Sequence, residues 1–383
     1  MKIILGITYY QPNISGVTIY ARRLAEELLK RGHRVVVITS RYDQNLPAKE
    51  VVNGVEIIRV PVGLKIGKGV LMPLLPFYLL AEIKDCQVIN CHLPQFESFV
   101  FALLGKIFRK KVILTHHTDL SGWSGSLNRL SEMAVWSGQL LAGLLADKIV
   151  PYTQDYAEHS WYLKLFKEKL AFILPPIMNG RVEESLKKKW LVQAGHPKLV
   201  IGFAGRIAKQ KGLPYLLRSI PYLRQELPSF KIVFAGPYQG VIGESYYTEI
   251  FSLIRRYQKS LCFLGSLSEE KMASFYSLCD VLVLPSDDRL ESFGLVQVEA
   301  MMTGCPVVAT NLPGVRVPIQ LTGMGELVAA SDSRALAEGI IRVIKNKKKY
   351  FCPIAKLKRI FSLNQTIRQY EQLFEENRSV GGQ

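Results

Sequence analysis

The sequence predicts an α/β protein of two units of similar size, each with a mostly parallel sheet. Short apolar strands alternate with helical stretches, and a second strand series begins after a polar, charged segment at residues 175–198. The 383 residues suffice for two ordinary domains, and 48% hydrophobic residues suffice to fill two cores. We place the units at 1–176 and 177–355, followed by a C-terminal helix (356–383) that we expect to cross back to the first unit.

The first half begins with a strand, a helix and a hairpin. KIILGIT is continuously apolar, which suits the middle of a parallel sheet. A helix from about Gly16, capped by Gly32, has apolar residues at helical spacing. Asn53-Gly54 stands between β-branched runs and predicts a hairpin turn. Further strands are predicted at RVVVIT, QVINCH, KKVILTH and DKIVPYT.

The second half contains its own series of strands, which are KLVIGFAG, FKIVFAG, LCFLG, DVLVLPS, CPVVAT and GELV. The last helix, in LNQTIRQYEQLFEENR, carries Ile367, Tyr370 and Phe374 on one side. Prolines at both ends of the polar segment between the two series predict a hinge. Because parallel sheets bind ligands at the carboxyl ends of their strands, functional residues are expected directly after strands.

The net charge of +17 is the strongest signal in the composition. It predicts attraction to nucleotide phosphates, nucleic acid or the acidic face of a membrane. No signal peptide is visible, and the most apolar stretches fall well short of the roughly 20 residues that a bilayer span requires. The six cysteines form no CxxC pair and no Cys/His cluster, which argues against a zinc site and a disulfide framework.

Two cations follow the first strand of the second half. Arg206 comes directly after KLVIGFAG, and Lys211 follows a short loop and precedes Gly212. Arginine can grip a diphosphate with two hydrogen bonds, and lysine can meet it as a point charge. The alternative is a pair of solvated surface cations.

Two carboxylates follow DVLVLPS in the stretch LESFGLVQVEAMM. Glu291 lies in a loop, and Glu299 lies within a helix that should begin near residues 292–294 with Val296, Ala300 and Met301 buried. A buried unpaired carboxylate is costly, so each must reach solvent, a cation or a ligand rich in hydroxyls. The alternatives are a helix cap for Glu291 and a surface position for Glu299. The amides of the helix start can meet phosphate oxygens; they belong to Phe293, Gly294 and Leu295.

The first half offers a histidine pair and a glycine. His116 and His117 follow the strand KKVILTH, where a histidine can donate to a substrate hydroxyl or phosphate or serve only the structure. Asp119 lies nearby, but no further ligand is placed for a metal. Gly16 at a helix start lets a ligand approach the backbone. Neither half shows GxGxxG, GxxxxGK[ST] or DxD, so dinucleotide and P-loop sites lack support.

Together these segments resemble glycosyltransferase family 4, which contains retaining enzymes of the GT-B fold with two facing Rossmann-like domains. The resemblance covers most of the chain and is carried by SGVTIYARRLAEELLKRGHRVVVIT, LTHHTDL, GRIAKQKG and PSDDRLESFGLVQVEAMMTGCPVVATNLPG. Its most specific part is Glu291 and Glu299 with FGL between them, downstream of GR…KG. One departure is Ser15-Gly16, where the family often has two glycines.

The resemblance implies roles for individual residues. Glu299 would bind the ribose of a nucleotide-sugar, and Glu291 would face the transferred sugar. Arg206 and Lys211 would neutralise the diphosphate in place of a metal, and His117 would lie near the donor sugar and the acceptor. The implied catalytic set is His117, Glu291, Arg206 and Lys211. The implied donor-binding set is Gly16, Arg206, Lys211, Glu291, Ser292, Phe293, Gly294, Leu295 and Glu299.

The predicted function is metal-independent, retaining hexosyl transfer from a nucleoside-diphosphate sugar to a lipid-linked or glycan acceptor, with no cofactor. The alternatives are a sugar phosphorylase or a nucleotide-sugar epimerase on the same fold. A nucleic-acid-binding protein is less favoured, because the basic residues look dispersed and no recognition motif is present. The donor base, the sugar, the acceptor, the linkage and the oligomeric state stay open.

A second prediction concerns location. SFVFALLGKIFRKK predicts a helix with apolar Phe99, Ala102, Leu103, Ile107 and Phe108, ended by the weak membrane candidates Arg109, Lys110 and Lys111. These cations can instead complement the helix dipole. Lys65, Lys68 and Lys106 lie in the same half, and basic residues near an anionic leaflet contribute about 1 kcal/mol each. We therefore expect a cytoplasmic protein that can attach peripherally to the inner face of the plasma membrane.

Overall fold

The computed structural model describes residues 1–66, 69–120, 126–238 and 246–376. The chain divides into two compact units. The first contains Met1–Pro176 and the C-terminal segment from Leu363, and the second contains Ile177–Ser362. Among the described residues, no helix has the length and apolar character needed to cross a membrane. Lys68, one of the predicted membrane cations, lies outside the described residues.

The strands are β1 (Lys2–Gly6), β2 (Arg34–Arg41), β3 (Lys49–Val52), β4 (Val55–Pro61), β5 (Leu64–Ile66), β6 (Gly69–Leu71), β7 (Val88–Leu93), β8 (Lys111–His116), β9 (Lys148–Val150), β10 (Leu199–Ala204), β11 (Phe230–Ala235), β12 (Leu261–Gly265), β13 (Val281–Leu284), β14 (Val307–Thr310) and β15 (Gly325–Val328). The α-helices are α1 (Gly16–Lys30), α2 (Leu75–Ile83), α3 (Ser98–Ile107), α4 (Ser126–Leu145), α5 (Gln154–Ala157), α6 (Glu184–Gln193), α7 (Leu213–Glu226), α8 (Tyr246–Glu249), α9 (Phe251–Tyr257), α10 (Glu269–Leu278), α11 (Leu295–Met302), α12 (Val317–Thr322), α13 (Ser333–Lys345), α14 (Ile354–Ile360) and α15 (Leu363–Glu375). Short 3₁₀ turns lie at Leu163–Lys169, Lys209–Lys211, Gln258–Ser260 and Lys347–Tyr350.

The first unit is built on a sheet whose described strands follow the order β3-β4-β2-β1-β7-β8-β9. All neighbours are parallel except β3 and β4. Without β3, the strands run third, second, first, fourth, fifth and sixth along the chain, which is the doubly wound order of dinucleotide-binding folds. The order reverses between β1 and β7, so the loops after these strands flank the place where such sheets bind ligands.

The hairpin prediction at Asn53-Gly54 is confirmed. Both residues have positive φ, 52° and 83°, as a two-residue hairpin turn of this kind requires. Val52 pairs directly with Val55 across the turn. The resulting edge strand β3 is the antiparallel member of the sheet.

The C-terminal helix α15 belongs to the first unit. The Tyr370 hydroxyl lies 2.6 Å from that of Tyr20 on α1 and 3.0 Å from Thr115 Oγ1 on β8. At the helix surface, Arg31 donates to Glu371 over 2.5 Å. The preceding helix α14 lies in the second unit, so the change of unit falls at Ser362 and Leu363 rather than at residue 356.

The second unit contains a sheet of the order β12-β11-β10-β13-β14-β15, in which every described pair is parallel. This is again the third, second, first, fourth, fifth and sixth strand of the unit, with the reversal between β10 and β13. Its core contains Ile201, Ile232 and Val283 from the sheet, with Leu217 and Ile340 from helices α7 and α13. The predicted fold class of two α/β units with mostly parallel sheets is confirmed.

The polar segment at residues 175–198 contains the helix α6, and its role as a hinge stays a prediction. The start of the helix after Glu291 differs slightly from the expectation. The helix after Glu291 begins at Leu295, with Gly294 as its N-cap, and Val298 rather than Val296 is among its buried residues. Ala300 and Met301 are buried as predicted, and only Val296 is on the wrong side, because the alternation of Val, Gln, Val and Glu does not fix which valine faces the core.

Candidate active site

The carboxyl ends of β10 and β11 approach each other through glycines. Gly205 and Gly236 have φ of +134° and +142°, a region that residues with side chains rarely adopt. A β-carbon built on Gly236 would overlap the carbonyl oxygen of Gly205 and would lie 2.6 Å from its carbonyl carbon. The two strand ends therefore present bare backbone beside the reversal point of the sheet, where a ligand can approach closely.

Lys211 and Glu291 meet through contacts between their loops. Gly212 has a left-handed backbone, and a β-carbon there would overlap the carbonyl oxygen of Pro285, the residue after β13. This close packing of the loops after β10 and β13 places Lys211 Nζ 2.5 Å from Glu291 Oε2. Both side chains are mostly buried. The structure thus joins a predicted cation and a predicted carboxylate that are 80 residues apart in the chain.

Glu299 lies on the second turn of α11. Its Oε2 accepts a hydrogen bond of 2.8 Å from the hydroxyl of Tyr276, a buried residue of α10. A hydrogen bond of this kind fixes the orientation of the carboxylate. Tyr276 was missed by sequence reasoning, since it lies 23 residues upstream in a helix without a motif.

The start of α11 is held by Gln297, a second residue that sequence reasoning missed. Its buried Nε2 donates to the carbonyl oxygens of Phe293 and Val315, each over 2.9 Å. Gly294 has φ of +76°, and a β-carbon there would lie 2.8 Å from Gln297 Nε2. The one available signal was a polar residue within an apolar stripe. Ser292 and Phe293 are buried beside this turn.

Positive charge and helix starts converge on the same edge of the second sheet. Arg206 follows β10 by two residues and is partly buried, and Lys211 lies two residues before α7, whose N-cap is Gly212. Helix N-termini and cations both stabilise bound phosphates. Asp287, also in the loop after β13, has a pKa raised by burial, although its own backbone amide opposes this shift. The arrangement suits a ligand with a diphosphate and hydroxyl groups.

His117, by contrast, lies inside the first unit. Its Nε2 is 2.8 Å from Nδ1 of His92, and its Nδ1 pairs with the hydroxyl of Tyr152. The Tyr20 ring packs edge-on at 4.9 Å between ring centres. Burial lowers the pKa of His117 well below its usual value, and the neighbouring His92 and His116 lower it further. A contact between this imidazole and a substrate would require one of these pairs to open, so its catalytic role stays a prediction.

The second histidine of the pair has different neighbours. His116 stacks on Tyr162 with ring centres 5.2 Å apart, and its Nε2 lies 3.3 Å from Asp119 Oδ1. Ser160 donates to the same Asp119 oxygen over 2.7 Å. Among the residues that the structure describes, no group of three histidine, cysteine or acidic side chains is arranged to hold a metal ion.

Gly16 begins α1, next to the loop after β1. Ser15 caps the helix and accepts from the amide of Thr18 over 3.1 Å. A β-carbon built on Gly16 would meet no described atom within 4 Å, so the backbone at this helix start is open. Gly16 belongs to the first unit, whereas Arg206, Lys211, Glu291, Ser292, Phe293, Gly294, Leu295 and Glu299 belong to the second.

The predicted membrane helix α3 exposes part of its predicted apolar side, of which only Ala102 is fully buried. It buries Phe101, Ala102 and Gly105, and leaves Leu103 and Ile107 exposed. Arg109 and Lys110 lie at its end, and the Lys110 ammonium donates to the carbonyl oxygen of Lys84. Lys111 is only 8% exposed and donates to the carbonyl oxygen of Glu376 over 2.5 Å. Lys111 is therefore not available to a membrane, because it begins the buried strand β8.

Comparisons with known proteins agree with this architecture. A family model described as Glycosyltransferase Family 4 matches residues 14–177, and one described as Glycosyl transferases group 1 matches residues 185–355. An uncharacterized glycosyltransferase of Methanocaldococcus jannaschii is 28% identical over 361 residues, covering 90% of each chain. A phosphatidyl-myo-inositol mannosyltransferase of Mycobacterium leprae is 25% identical, covering 94% of this chain and 92% of its own.

A solved structure has the same fold. An Anabaena protein crystallised with UDP and glucose superposes with a TM-score of 0.77 at 20% identity, covering 98% of this chain and all of its own. At this identity the likeness shows the fold alone. The two family matches together span nearly the whole chain, with the Lys211 loop, Glu291 and Glu299 inside the second. The chain belongs to the family 4 type of GT-B glycosyltransferases.

Proposed function

We propose that this glycosyltransferase moves a hexose from a nucleoside-diphosphate sugar to a lipid-linked or glycan acceptor at the cytoplasmic surface of the membrane. The transfer retains the anomeric configuration and requires no metal. The observation that carries the proposal is the meeting of Lys211 and Glu291, with Glu299 oriented on α11. Arg206 lies in the same loop after β10 as Lys211.

Donor binding belongs to the second unit in this proposal. Glu299, held by Tyr276, accepts hydrogen bonds from the ribose hydroxyls, and Glu291 faces the sugar. The amides at residues 292–295 contact the donor at the start of α11. The named ligands of the Anabaena protein, UDP and glucose, support a nucleotide-sugar as the donor class.

Arg206 and Lys211 act on the leaving group. The negative charge of the diphosphate grows as the glycosidic bond breaks, so cations placed there stabilise the transition state more than the ground state. Lys211 is fixed by Glu291, and such a preorganised ammonium needs little reorganisation when charge develops. These cations take the part that a metal plays in other folds.

Acceptor binding belongs to the first unit. Tyr10 and Gln11 follow β1 and Ser98 follows β7, on the two sides of the reversal in strand order. Within the described residues, the Tyr10 hydroxyl, Gln11 Nε2, Ser98 Oγ and Gln139 Nε2 are buried without a hydrogen-bond partner. Buried polar groups normally bind protein, water or a ligand. They suit an acceptor rich in hydroxyls, and the name of the Mycobacterium leprae relative supports an inositol lipid as one such acceptor.

The test is a transfer assay with UDP-, GDP- and ADP-sugars and a membrane lipid extract, with and without a chelator. We expect a glycosylated lipid whose new bond keeps the donor's anomeric configuration by NMR, at an unchanged rate with chelator. Phosphate-dependent release of a sugar phosphate would indicate a phosphorylase, and an altered free nucleotide-sugar without acceptor would indicate an epimerase. Loss of activity with chelator, restored by magnesium or manganese, would refute the metal-free site.

A further inference from the structure

About half of the net positive charge lies in one segment that covers the end of the second unit and continues into α15. Residues 339–370 contain no Asp or Glu, whereas Glu338 and Glu371 stand at either side. The segment contributes +9 of the net charge of +17, through Arg342, Lys345, Lys347, Lys348, Lys349, Lys356, Lys358, Arg359 and Arg368. The basic residues are therefore concentrated in this segment and are not dispersed evenly along the chain. None of the proposed catalytic or donor-binding residues lies in this segment.

Acidic side chains from other elements neutralise only part of this charge. Arg342 and Lys349 lie near Glu326, at 3.5 and 4.0 Å. Lys345 pairs with Glu226 at 2.7 Å, and Lys347 pairs with Asp280 at 3.1 Å. Among the ion pairs of the described residues, none includes Lys348, Lys356, Lys358 or Arg359, and all four are exposed.

Two large apolar side chains are exposed among these four cations. Phe351 is 72% exposed and Ile354 is 46% exposed. The backbone that carries them is firmly anchored, since Tyr350, Cys352 and Leu357 are buried in the second unit. An exposed aromatic and an exposed aliphatic side chain thus lie between unpaired cations along an anchored stretch of backbone.

We infer that Lys348, Phe351, Ile354, Lys356, Lys358 and Arg359 form a docking surface for an anionic phospholipid bilayer. Basic residues are attracted to an anionic leaflet, and apolar side chains beside them enter the boundary between headgroups and acyl chains. A nucleic acid would also attract the cations, but the aliphatic Ile354 gains little from a phosphate backbone. These residues belong to the second unit, whereas α3 belongs to the first. The inference does not depend on the transfer reaction.

The test compares two variants of equal charge in the full-length protein. The first replaces the four unpaired cations (Lys348→Gln, Lys356→Gln, Lys358→Gln and Arg359→Gln). The control replaces four exposed cations elsewhere in the second unit (Lys188→Gln, Lys189→Gln, Lys198→Gln and Lys271→Gln). Binding is measured by sedimentation with vesicles of phosphatidylcholine and phosphatidylglycerol, with vesicles of phosphatidylcholine alone, and with duplex DNA. Melting temperature and nucleotide affinity verify that both variants are folded.

We expect the protein to bind the anionic vesicles in low salt and to ignore the neutral ones. Each charge at a membrane surface is worth about 1 kcal/mol, or about fivefold in binding, so the first variant should lose at least about tenfold and the control less than about twofold. If both variants lose vesicle binding equally, the net charge of the protein explains the binding, and the inference is overturned. A loss confined to DNA binding, or no vesicle binding by the intact protein, would also overturn it.

The apolar contribution is tested separately in elevated salt, where charge attraction is screened. Phe351→Ser should then weaken vesicle binding severalfold, whereas Val192→Ser, at a similarly exposed apolar residue of the same unit, should not. An equal effect of the two substitutions would contradict insertion of Phe351. Because nucleotide affinity should persist in all of these variants, a failure of vesicle binding is distinguishable from a failure of the proposed transferase function.

Discussion

Replacing Gly212 by alanine should uncouple the two loops that form the donor site. At Gly212 the backbone has φ of +60° and ψ of +24°, which costs an alanine about 1–2 kcal/mol. The new β-carbon would also overlap the Pro285 carbonyl oxygen and lie 2.8 Å from its carbonyl carbon. A backbone carbonyl group cannot move away as easily as a flexible side chain, so relieving this overlap should cost about 1–3 kcal/mol more. Gly212→Ala should therefore lower the free energy of unfolding of the second unit by about 2–5 kcal/mol in total.

Gly323 offers a matched control in the same unit. Its φ is +71°, but a β-carbon there would meet no described atom within 4 Å. Gly323→Ala should therefore show the backbone cost alone, about 1–2 kcal/mol. For a unit of this size, each kcal/mol shifts the melting temperature by about 2–4 °C. Calorimetry should show a clearly larger shift for Gly212→Ala than for Gly323→Ala.

Nucleotide binding separates a damaged site from a merely weakened fold. A shift of the loop after β10 moves Lys211 from its position beside Glu291, and the loss of one charge-assisted contact is worth about 1.5–3 kcal/mol, or roughly one to two decades in affinity. Titration below the melting transition should find this loss in Gly212→Ala and wild-type affinity in Gly323→Ala. If the two variants match in both melting temperature and affinity, the loop contact does not build the site.

Three further outcomes are expected. Burial lowers the pKa of His92 to about 3 and also lowers that of His117. As the pH falls, these histidines therefore bind protons in the unfolded chain before they do so in the folded one. The free energy of unfolding of the first unit should therefore be highest above about pH 6.5 and should fall below it by about 1.4 kcal/mol per pH unit for each of the two histidines. Calorimetry that shows no such fall would contradict the burial of these histidines. Tyr276→Phe keeps the ring but removes the hydroxyl that donates to Glu299, and it should weaken nucleotide binding about fivefold by titration, whereas unchanged affinity would show that this hydrogen bond does not orient the carboxylate for the ligand. Gln297→Leu leaves two carbonyl groups without their donor and should cost about 1–3 kcal/mol in unfolding experiments, and a neutral effect would show that the turn does not need it.

Local features of the fold could be predicted from the sequence because their causes are local. Asn53-Gly54 specifies its turn by backbone conformation alone, and apolar runs mark the strands of both sheets. The position of candidate residues after strands also follows from the chain order, as Lys211 and Glu291 show. Parallel sheets bring such loops to one edge, so their proximity was predictable without knowledge of the contacts.

Partners that lie far apart in the chain could not be predicted. Tyr276 reaches Glu299 from another helix, and His92 reaches His117 from the neighbouring strand, in both cases without a sequence pattern. The burial of Lys111 could not be predicted either, because the predicted strand KKVILTH does not show which of its lysines is covered by a distant part of the chain. Its burial depends on the carbonyl group of Glu376, at the other end of the chain.

We expect the edge of the second sheet, with Glu299, to bind a nucleoside-diphosphate sugar. Isothermal titration of UDP, GDP and ADP and their sugars tests it most directly, with wild type, Glu299→Ala and the control Glu338→Ala, whose carboxylate lies on the exposed side of α13. We predict that one nucleotide series binds wild type and the control equally. Glu299→Ala should lose about one to two decades in affinity, since a charge-assisted hydrogen bond to the ribose is removed. Equal affinity of a folded Glu299→Ala variant would show that Glu299 does not bind the ribose, and no binding of any nucleotide to wild type would show that this edge is not a donor site.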